Sequence, residues 1–233
     1  MEYQFNDNFL WGAASSGPQS EGTFPGDGKA EMEWDYWFKQ VPEQFFDGVG
    51  PSVTSDFYHK YKEYAKLMKE IGMNSYRTSI QWSRIFKDRE GTVNEEGVTF
   101  YQAVIDEFLS QGIEPVLCLH HFDMPMYWME KGGFENRETA EGFAAFAAKC
   151  FELFGGKVKR WITFNEPIVI AEGGYIYKRH YPAVCDAKKA ALVGYHIQLA
   201  SSMAVREFRK SGREGSIGIV LNLTPTYCKY PDN

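Results

Sequence analysis

Apolar residues recur at helical spacing in four segments of the chain, and each segment ends at a glycine. In the first segment, residues 56–71, Phe57, Tyr61, Tyr64 and Met68 fall on one side of a helix, and Gly72 follows. This pattern predicts an amphipathic helix with a glycine stop. The same pattern predicts three more helices: residues 98–109 before Gly112, residues 136–154 before Gly155, and residues 186–211 before Gly212.

A short apolar run follows each predicted helix, and another opens the chain. These runs predict five strands, at residues 9–14, 74–80, 113–120, 161–165 and 216–222. Regular alternation of strand and helix is typical of parallel βαβ units. Residues 22–51, rich in glycine and aromatic residues, are interpreted as a long loop after the first strand. No linker or low-complexity segment interrupts the series, so residues 1–233 are expected to form one domain.

A parallel sheet of this kind belongs either to a barrel or to an open, doubly wound fold. No Gly-x-Gly-x-x-Gly follows any predicted strand, which disfavours a dinucleotide-binding fold. Polar residues instead follow every strand: Gln19, Glu21, Arg77, Ser79, Gln81, His120, His121, Asp123, Asn165, Glu166 and Asn222. Polar groups at every strand end predict a ring-shaped site at the mouth of a barrel. The predicted class is therefore α/β, the N-terminal portion of a (β/α)₈ TIM barrel with about five of the eight strands.

Charge and composition exclude several partners. The formal net charge of −6 disfavours nucleic acid, and no basic run offsets it. The chain has neither a signal-like start nor an apolar stretch of membrane-spanning length, so we expect a cytoplasmic protein without a membrane partner. Its four cysteines lie far apart with no Cys-x-x-Cys pair, which predicts reduced thiols, no metal and no cofactor.

The sharpest chemical signal is the segment Thr-Phe-Asn-Glu-Pro at residues 163–167. Pro167 prevents the strand from continuing, so the carboxyl of Glu166 should project into the barrel mouth. Apolar neighbours disfavour an ionised carboxyl and would keep a proton available for a leaving group. Asn165 offers an amide that suits a sugar hydroxyl. The alternative is that Asn-Glu-Pro only ends a strand in a helix-capping turn.

Three further residues are candidates for the site. His120 and His121 are adjacent on a strand and must face opposite ways, so only one can reach the cleft. Arg77 lies within a half-apolar strand, where an unpaired guanidinium is costly, so it needs a carboxylate partner. Glu166 and Asp123 are the candidate partners within this chain. Gln19 is a neutral bidentate group suited to adjacent hydroxyls, or else an ordinary polar loop residue.

Four sequence motifs together resemble glycoside hydrolase family one. They are residues 9–14 with 19–22, residues 76–85, residues 119–125 and residues 163–167, in the order found in that family. The resemblance implies a retaining β-glycosidase in which Glu166 is the acid/base. It also implies that Gln19, His121 and Asn165 bind the hydroxyls of the sugar, and that Arg77 orients the nucleophile.

The carboxylate nucleophile of that family, in a Thr-Glu-Asn-Gly segment, is absent from residues 1–233. Because a retaining mechanism needs this second carboxylate, little or no activity is expected of this chain alone. Open sheet edges also predict self-association or pairing with a C-terminal half of the barrel. Further resemblances at residues 34–37, 46–51 and 168–175 favour a substrate of the 6-phospho-β-glucoside type over a plain β-glucoside. The alternative function is a non-catalytic sugar-binding or assembly module.

Overall fold

A computed structural model describes residues 3–225 and 227–229 of the chain, and the other residues of the expected domain 1–233 lie outside it. The described residues contain one five-stranded sheet. Its strands are β1 (Gly12–Ala14), β2 (Ser75–Ser79), β3 (Glu114–Cys118), β4 (Arg160–Asn165) and β5 (Ser216–Val220).

Helices connect these strands and cover one face of the sheet. They are α1 (Gly17–Ser20), α2 (Glu33–Gln40), α3 (Phe57–Glu70), α4 (Trp82–Ile85), α5 (Glu95–Ser110), α6 (Met126–Met129), α7 (Arg137–Phe154), α8 (Pro167–Tyr175) and α9 (Ala187–Lys210). The four long helices α3, α5, α7 and α9 are the four predicted from the apolar spacing. Across the described ranges, no helix combines the length and apolar character needed to cross a bilayer.

The strand order in the sheet follows the order in the chain. Each strand pairs in parallel with the next, from β1–β2 to β4–β5. A doubly wound sheet reverses its strand order at a switch point, whereas a barrel does not. The unreversed order therefore confirms the prediction of a partial (β/α) barrel with five parallel strands.

Two predictions near the start of the chain were wrong. The first strand is shorter than residues 9–14 because only Gly12–Ala14 pairs with β2. Here the two backbones approach so closely that a Cβ on Gly12 would collide with the carbonyl of Ser75. Residues 22–51 are not a simple loop, because they contain α2, in which the Asp35 carboxylate accepts a hydrogen bond from the Met32 amide, 3.2 Å away.

Aromatic side chains fill the space between the sheet and its helices. Phe151 of α7 packs edge-on against Trp161 of β4, and Trp82 stacks on Phe146 with ring centroids 5.5 Å apart. Each of these rings is buried. Burial of such large apolar surfaces is the main force that holds helices to a sheet.

A buried ion network ties the segment after β1 to the segment after β2. The guanidinium of Arg84 donates to Glu21 at 3.0 Å and to Asp27 at 2.8 Å, and all three side chains are buried. Gln81 and Tyr101 also donate to the Glu21 carboxylate, at 2.7 and 2.9 Å. Removal of one partner from such a network leaves an uncompensated charge in the interior.

We expect Arg84→Ala to lower the free energy of unfolding by about 3–5 kcal/mol, because Glu21 and Asp27 remain buried without their cation. Arg137→Ala is the matched control, since Arg137 forms an exposed ion pair with Glu141 at 3.1 Å. That control should cost no more than about 1 kcal/mol. Denaturant unfolding of the 233-residue chain measures both, and equal losses would contradict a structural role for the network.

Candidate active site

An irregularity in β4 orients Asn165. The register of β4 with β5 shifts between Ile162 and Asn165. Thr163 contacts Ser201 of α9 and Phe164 contacts Phe143 of α7, so two consecutive side chains face the helices. A bulge of this kind breaks the alternation of a strand, and the next residue, Asn165, therefore faces the barrel interior.

Glu166 lies at the junction of β4 and α8. Its backbone has the left-handed angles φ 48° and ψ 62°, and its amide donates to the carbonyl of Val220 at 2.8 Å. Its half-buried side chain does not cap α8 and, within residues 3–225 and 227–229, forms no hydrogen bond or ion pair. The carboxyl is therefore not used by the helix-capping turn that was the alternative interpretation of this segment.

Arg77 connects the ends of β3 and β4. Its Nη2 donates to the amide oxygen of Asn165 and lies 3.4 Å from Nδ1 of His121. The alternative interpretation, in which Glu166 or Asp123 pairs with Arg77, was wrong, because neither carboxylate forms an ion pair with it in the described residues. Nε of Arg77 is buried and has no partner in the described part of the chain.

His121 is neutral at the inner end of the site. Burial, followed by the charge of Arg77, lowers its pKa to about 4. Since Nδ1 faces the Arg77 donor, the ring proton lies on Nε2, which is then a donor toward the barrel mouth. Asn165 resembles His121 in this respect: its oxygen accepts from Arg77, and its amide NH₂ remains free to donate.

His120 faces away from this site, as predicted for adjacent histidines. Its ring lies among Phe134, Phe143 and Phe164, and burial lowers its pKa to about 3. Asp123 lies nearby, with its Oδ1 3.3 Å from Nδ1 of His120, and burial raises the pKa of Asp123 to about 7. The same Asp123 oxygen accepts from the His121 amide at 2.8 Å.

Gln19 and His121 line one cavity of about 540 Å³ at the mouth of the sheet. The Ser16 hydroxyl donates to the Gln19 amide oxygen at 2.8 Å, which leaves the Gln19 NH₂ free. The cavity wall also contains three residues that the sequence did not indicate as functional: Trp34, Phe122 and His180. Trp34 and Phe122 lie in segments 34–37 and 119–125, which carried the resemblance, but neither was itself predicted as a site residue.

The structure thus brings three of the five predicted residues into one set of contacts, while a fourth shares a cavity with one of them and the fifth is next to them in the chain. Gln19 shares the cavity with His121, and Arg77 joins His121 to Asn165. Glu166 directly follows Asn165, but neither residue is part of the cavity lining. Among the other polar strand-end residues, Glu21 and Gln81 belong to the buried Arg84 network, and the Ser79 hydroxyl accepts from the amide of Gly17.

The four cysteines differ in burial. Cys118 and Cys150 are buried, whereas Cys185 and Cys228 are exposed, so only two of them fill the core as expected. In the described part of the chain, no group of three or more histidine, cysteine and acidic side chains could hold a metal ion.

Parallel strands in chain order, with a polar site at their carboxyl ends, define the class as part of a (β/α)₈ barrel. The family model of glycosyl hydrolase family 1 matches residues 1–233. The chain belongs to glycosyl hydrolase family 1, as its motifs indicated.

Two relatives and one solved structure illustrate the likeness. The chain is 50% identical over 226 residues to 6-phospho-beta-glucosidase GmuD of Bacillus subtilis (strain 168), covering 97% of this chain and 49% of that protein. It is 39% identical over 224 residues to aryl-phospho-beta-D-glucosidase BglC of the same strain, covering 96% and 47%. The beta-glucosidase of Thermotoga maritima in complex with galacto-hydroximolactam superposes with a TM-score of 0.93 at 37% identity, covering 98% and 52%. The chain spans about half the length of the curated relatives it matches.

We expect the stability of the chain to fall as the pH drops from about 6.5 to about 4, in part because of His121. Its folded pKa of about 4 lies below its ordinary value of 6.5, so in this window the unfolded state binds the extra proton. The contribution is about 3 kcal/mol at 1.36 kcal/mol per pKa unit. Unfolding free energies at pH 7 and 4.5 should differ less in His121→Gln than in the wild type.

The control for this titration is His59→Gln, which replaces an exposed histidine on α3 that lies 2.7 Å from Asp56. This variant should keep the wild-type loss between the two pH values. If His121→Gln also keeps the full loss, His121 is not held neutral in the folded chain.

Proposed function

We propose that residues 1–233 form the acid/base side of the active site of a retaining β-glycosidase. The observation that carries this proposal is the set of contacts at the strand ends, in which Arg77 joins His121 to Asn165 beside Glu166. Gln19, on the shared cavity wall, completes the group. In this proposal the whole protein hydrolyses β-glucosides or 6-phospho-β-glucosides.

Three N–H groups would hold the sugar. The NH₂ groups of Gln19 and Asn165 and Nε2–H of His121 are all left free by their other contacts. Each can donate to a hydroxyl oxygen of the sugar ring. Because His121 stays neutral above about pH 4, these contacts would persist throughout the physiological range.

Glu166 would act as the acid and then as the base. In the first step it gives its proton to the glycosidic oxygen while a carboxylate attacks the anomeric carbon and the glycosidic bond breaks. In the second step Glu166 takes a proton from water, which attacks the same carbon and releases the carboxylate. The absence of a structural partner for the Glu166 carboxyl in the described residues supports this role.

The nucleophile would come from sequence outside residues 1–233. The buried, unpartnered Nε of Arg77 supports this assignment, since a guanidinium in the interior calls for an anionic partner. A carboxylate opposite Arg77 would be kept ionised and correctly oriented by it. The half-length match to the curated relatives is consistent with a second part of the active site.

A 6-phosphorylated β-glucoside is the favoured substrate in this proposal. Support comes from the 50% identity to a 6-phospho-β-glucosidase, which exceeds the 37% identity to the Thermotoga maritima β-glucosidase. A cytoplasmic location would suit a phosphorylated sugar, since a charged phosphoester does not cross membranes freely. Pairing of the 233 residues with the rest of a barrel is part of the same proposal.

We expect the purified 233-residue chain to leave both an aryl β-glucoside and its 6-phosphate intact, because no glycosyl-enzyme intermediate can form without the nucleophile. The measurement is release of the aryl group over hours at high protein concentration, with calorimetry of substrate binding in parallel. Turnover that Glu166→Gln abolishes would contradict the expectation. Binding without turnover, even after the rest of a barrel is supplied, would favour the sugar-binding module.

We expect Glu166→Gln to lower kcat/KM, which reports the first step, by about 10²–10⁴-fold when residues 1–233 are joined to the C-terminal part of GmuD that the match does not cover. The loss should be larger for a phenyl leaving group than for a dinitrophenyl one. A dinitrophenolate leaves without protonation, so it needs the acid less. Steady-state kinetics on the two 6-phosphoglucosides measure the difference.

Glu141→Gln is the matched control, since Glu141 is an exposed carboxylate on α7 whose only ion pair is with Arg137 in the described ranges. It should leave kcat/KM unchanged for both substrates. An equal loss of kcat/KM with both leaving groups in Glu166→Gln would contradict the assignment of Glu166 as the acid.

A further inference from the structure

We propose that Trp34 is a positioning residue for His121, acting through the backbone of Phe122. The indole N–H of Trp34 donates to the carbonyl oxygen of Phe122 at 2.6 Å, across 88 positions of sequence. This contact holds the residue after His121 in the conformation that turns the histidine ring into the cavity. The inference rests on the proposed function for its catalytic consequence, but the contact itself can be tested without activity.

The backbone of Phe122 needs such support. Its φ angle is +57°, in the left-handed region that a bulky side chain rarely adopts. A conformation of this kind costs about 1–3 kcal/mol and persists only where neighbouring contacts impose it. The turn at Phe122 separates His121, which lines the cavity, from Asp123, which is fully buried. A relaxed backbone at Phe122 would therefore change the direction of the His121 ring.

Hydrogen bonds fix this turn on both sides. On one side, Asp123 accepts from the amide of His121 at 2.8 Å. On the other side, the Phe122 carbonyl accepts from Trp34. The Asp123 contact is local, two residues along the chain, whereas Trp34 comes from α2, in the segment after β1. The Trp34 contact therefore links the backbone next to His121 to the segment after β1.

Trp34 is itself held by neighbouring rings. Its ring centroid lies 5.4 Å from that of Trp37 and 5.2 Å from that of His180. His180 also contacts Phe122, with centroids 5.1 Å apart, so the three rings of Trp34, His180 and Phe122 form one wall of the cavity. A phenyl ring at position 34 would preserve most of this packing but would lack the N–H donor. Trp34→Phe therefore separates the hydrogen bond from the aromatic wall.

The first experiment follows the imidazole of His121 by NMR in the 233-residue chain. In Trp34→Phe the ring should leave its buried position beside Arg77, and its titration midpoint should rise by about one pH unit toward the ordinary histidine value. Trp37→Phe is the matched control, because Trp37 is on the same helix, is partly buried, and makes no side-chain hydrogen bond in the described residues. The titration midpoint of His121 in Trp37→Phe should equal that in the wild type.

The second experiment is a double-mutant cycle in the fusion with the C-terminal part of GmuD. Trp34→Phe should lower kcat/KM about tenfold, the effect of one lost hydrogen bond to the site. The same substitution in a His121→Ala background should have little further effect, because Trp34 acts through His121. Trp37→Phe should leave kcat/KM unchanged in both backgrounds.

Several results would overturn the inference. An unchanged His121 titration in Trp34→Phe would show that the indole N–H does not position the ring. Additive losses in the double mutant would show that Trp34 contacts the sugar directly instead. If the fusion has no Glu166-dependent activity, the proposed function fails, whereas the His121 titration still decides the positioning role by itself.

Discussion

The arrangement of the site depends on the contacts that the guanidinium of Arg77 makes with neutral partners at the ends of two neighbouring strands. It donates to Asn165 and faces Nδ1 of His121, so it determines which atoms of both residues remain free. Its positive charge also helps to keep the histidine uncharged. One cation thereby leaves the amide NH₂ of Asn165 and the Nε2–H of His121 free to donate.

The two arginines within and after β2 illustrate how differently a buried cation can be used. Arg84 is saturated by carboxylates and a carbonyl oxygen, and it fixes the segment around Glu21 and Asp27 to the barrel. Arg77 has no carboxylate within the described ranges and keeps an unsatisfied Nε. Saturated ion networks give rigidity, whereas an unsatisfied buried donor keeps the capacity to bind a further acceptor. The Arg84 network holds the segment after β1 in place relative to β2, the strand that contains Arg77.

Much of the fold could be predicted from the sequence, because the apolar spacing and the glycine stops are local signals. The four long helices and five parallel strands follow directly from them. The length of β1 could not be predicted, since pairing with β2 rather than composition decides where a strand ends. The helix α2 was missed because its glycine-rich, aromatic surroundings are typical of a loop, and its Asp35 cap is visible only in three dimensions.

The candidate site was predicted less completely. Gln19, His121 and Asn165 were found through sequence motifs, but the neutral partners of Arg77 were not, because a carboxylate is the usual partner of a buried guanidinium. Trp34 was missed because its contact with Phe122 spans 88 positions. The bulge in β4 has a wider consequence. One extra residue in β4 turns Asn165 inward. If the segment Thr-Phe-Asn-Glu-Pro were placed on a strand without a bulge, the phenyl ring of Phe164 would face the barrel interior. The amide of Asn165 would then face the helices.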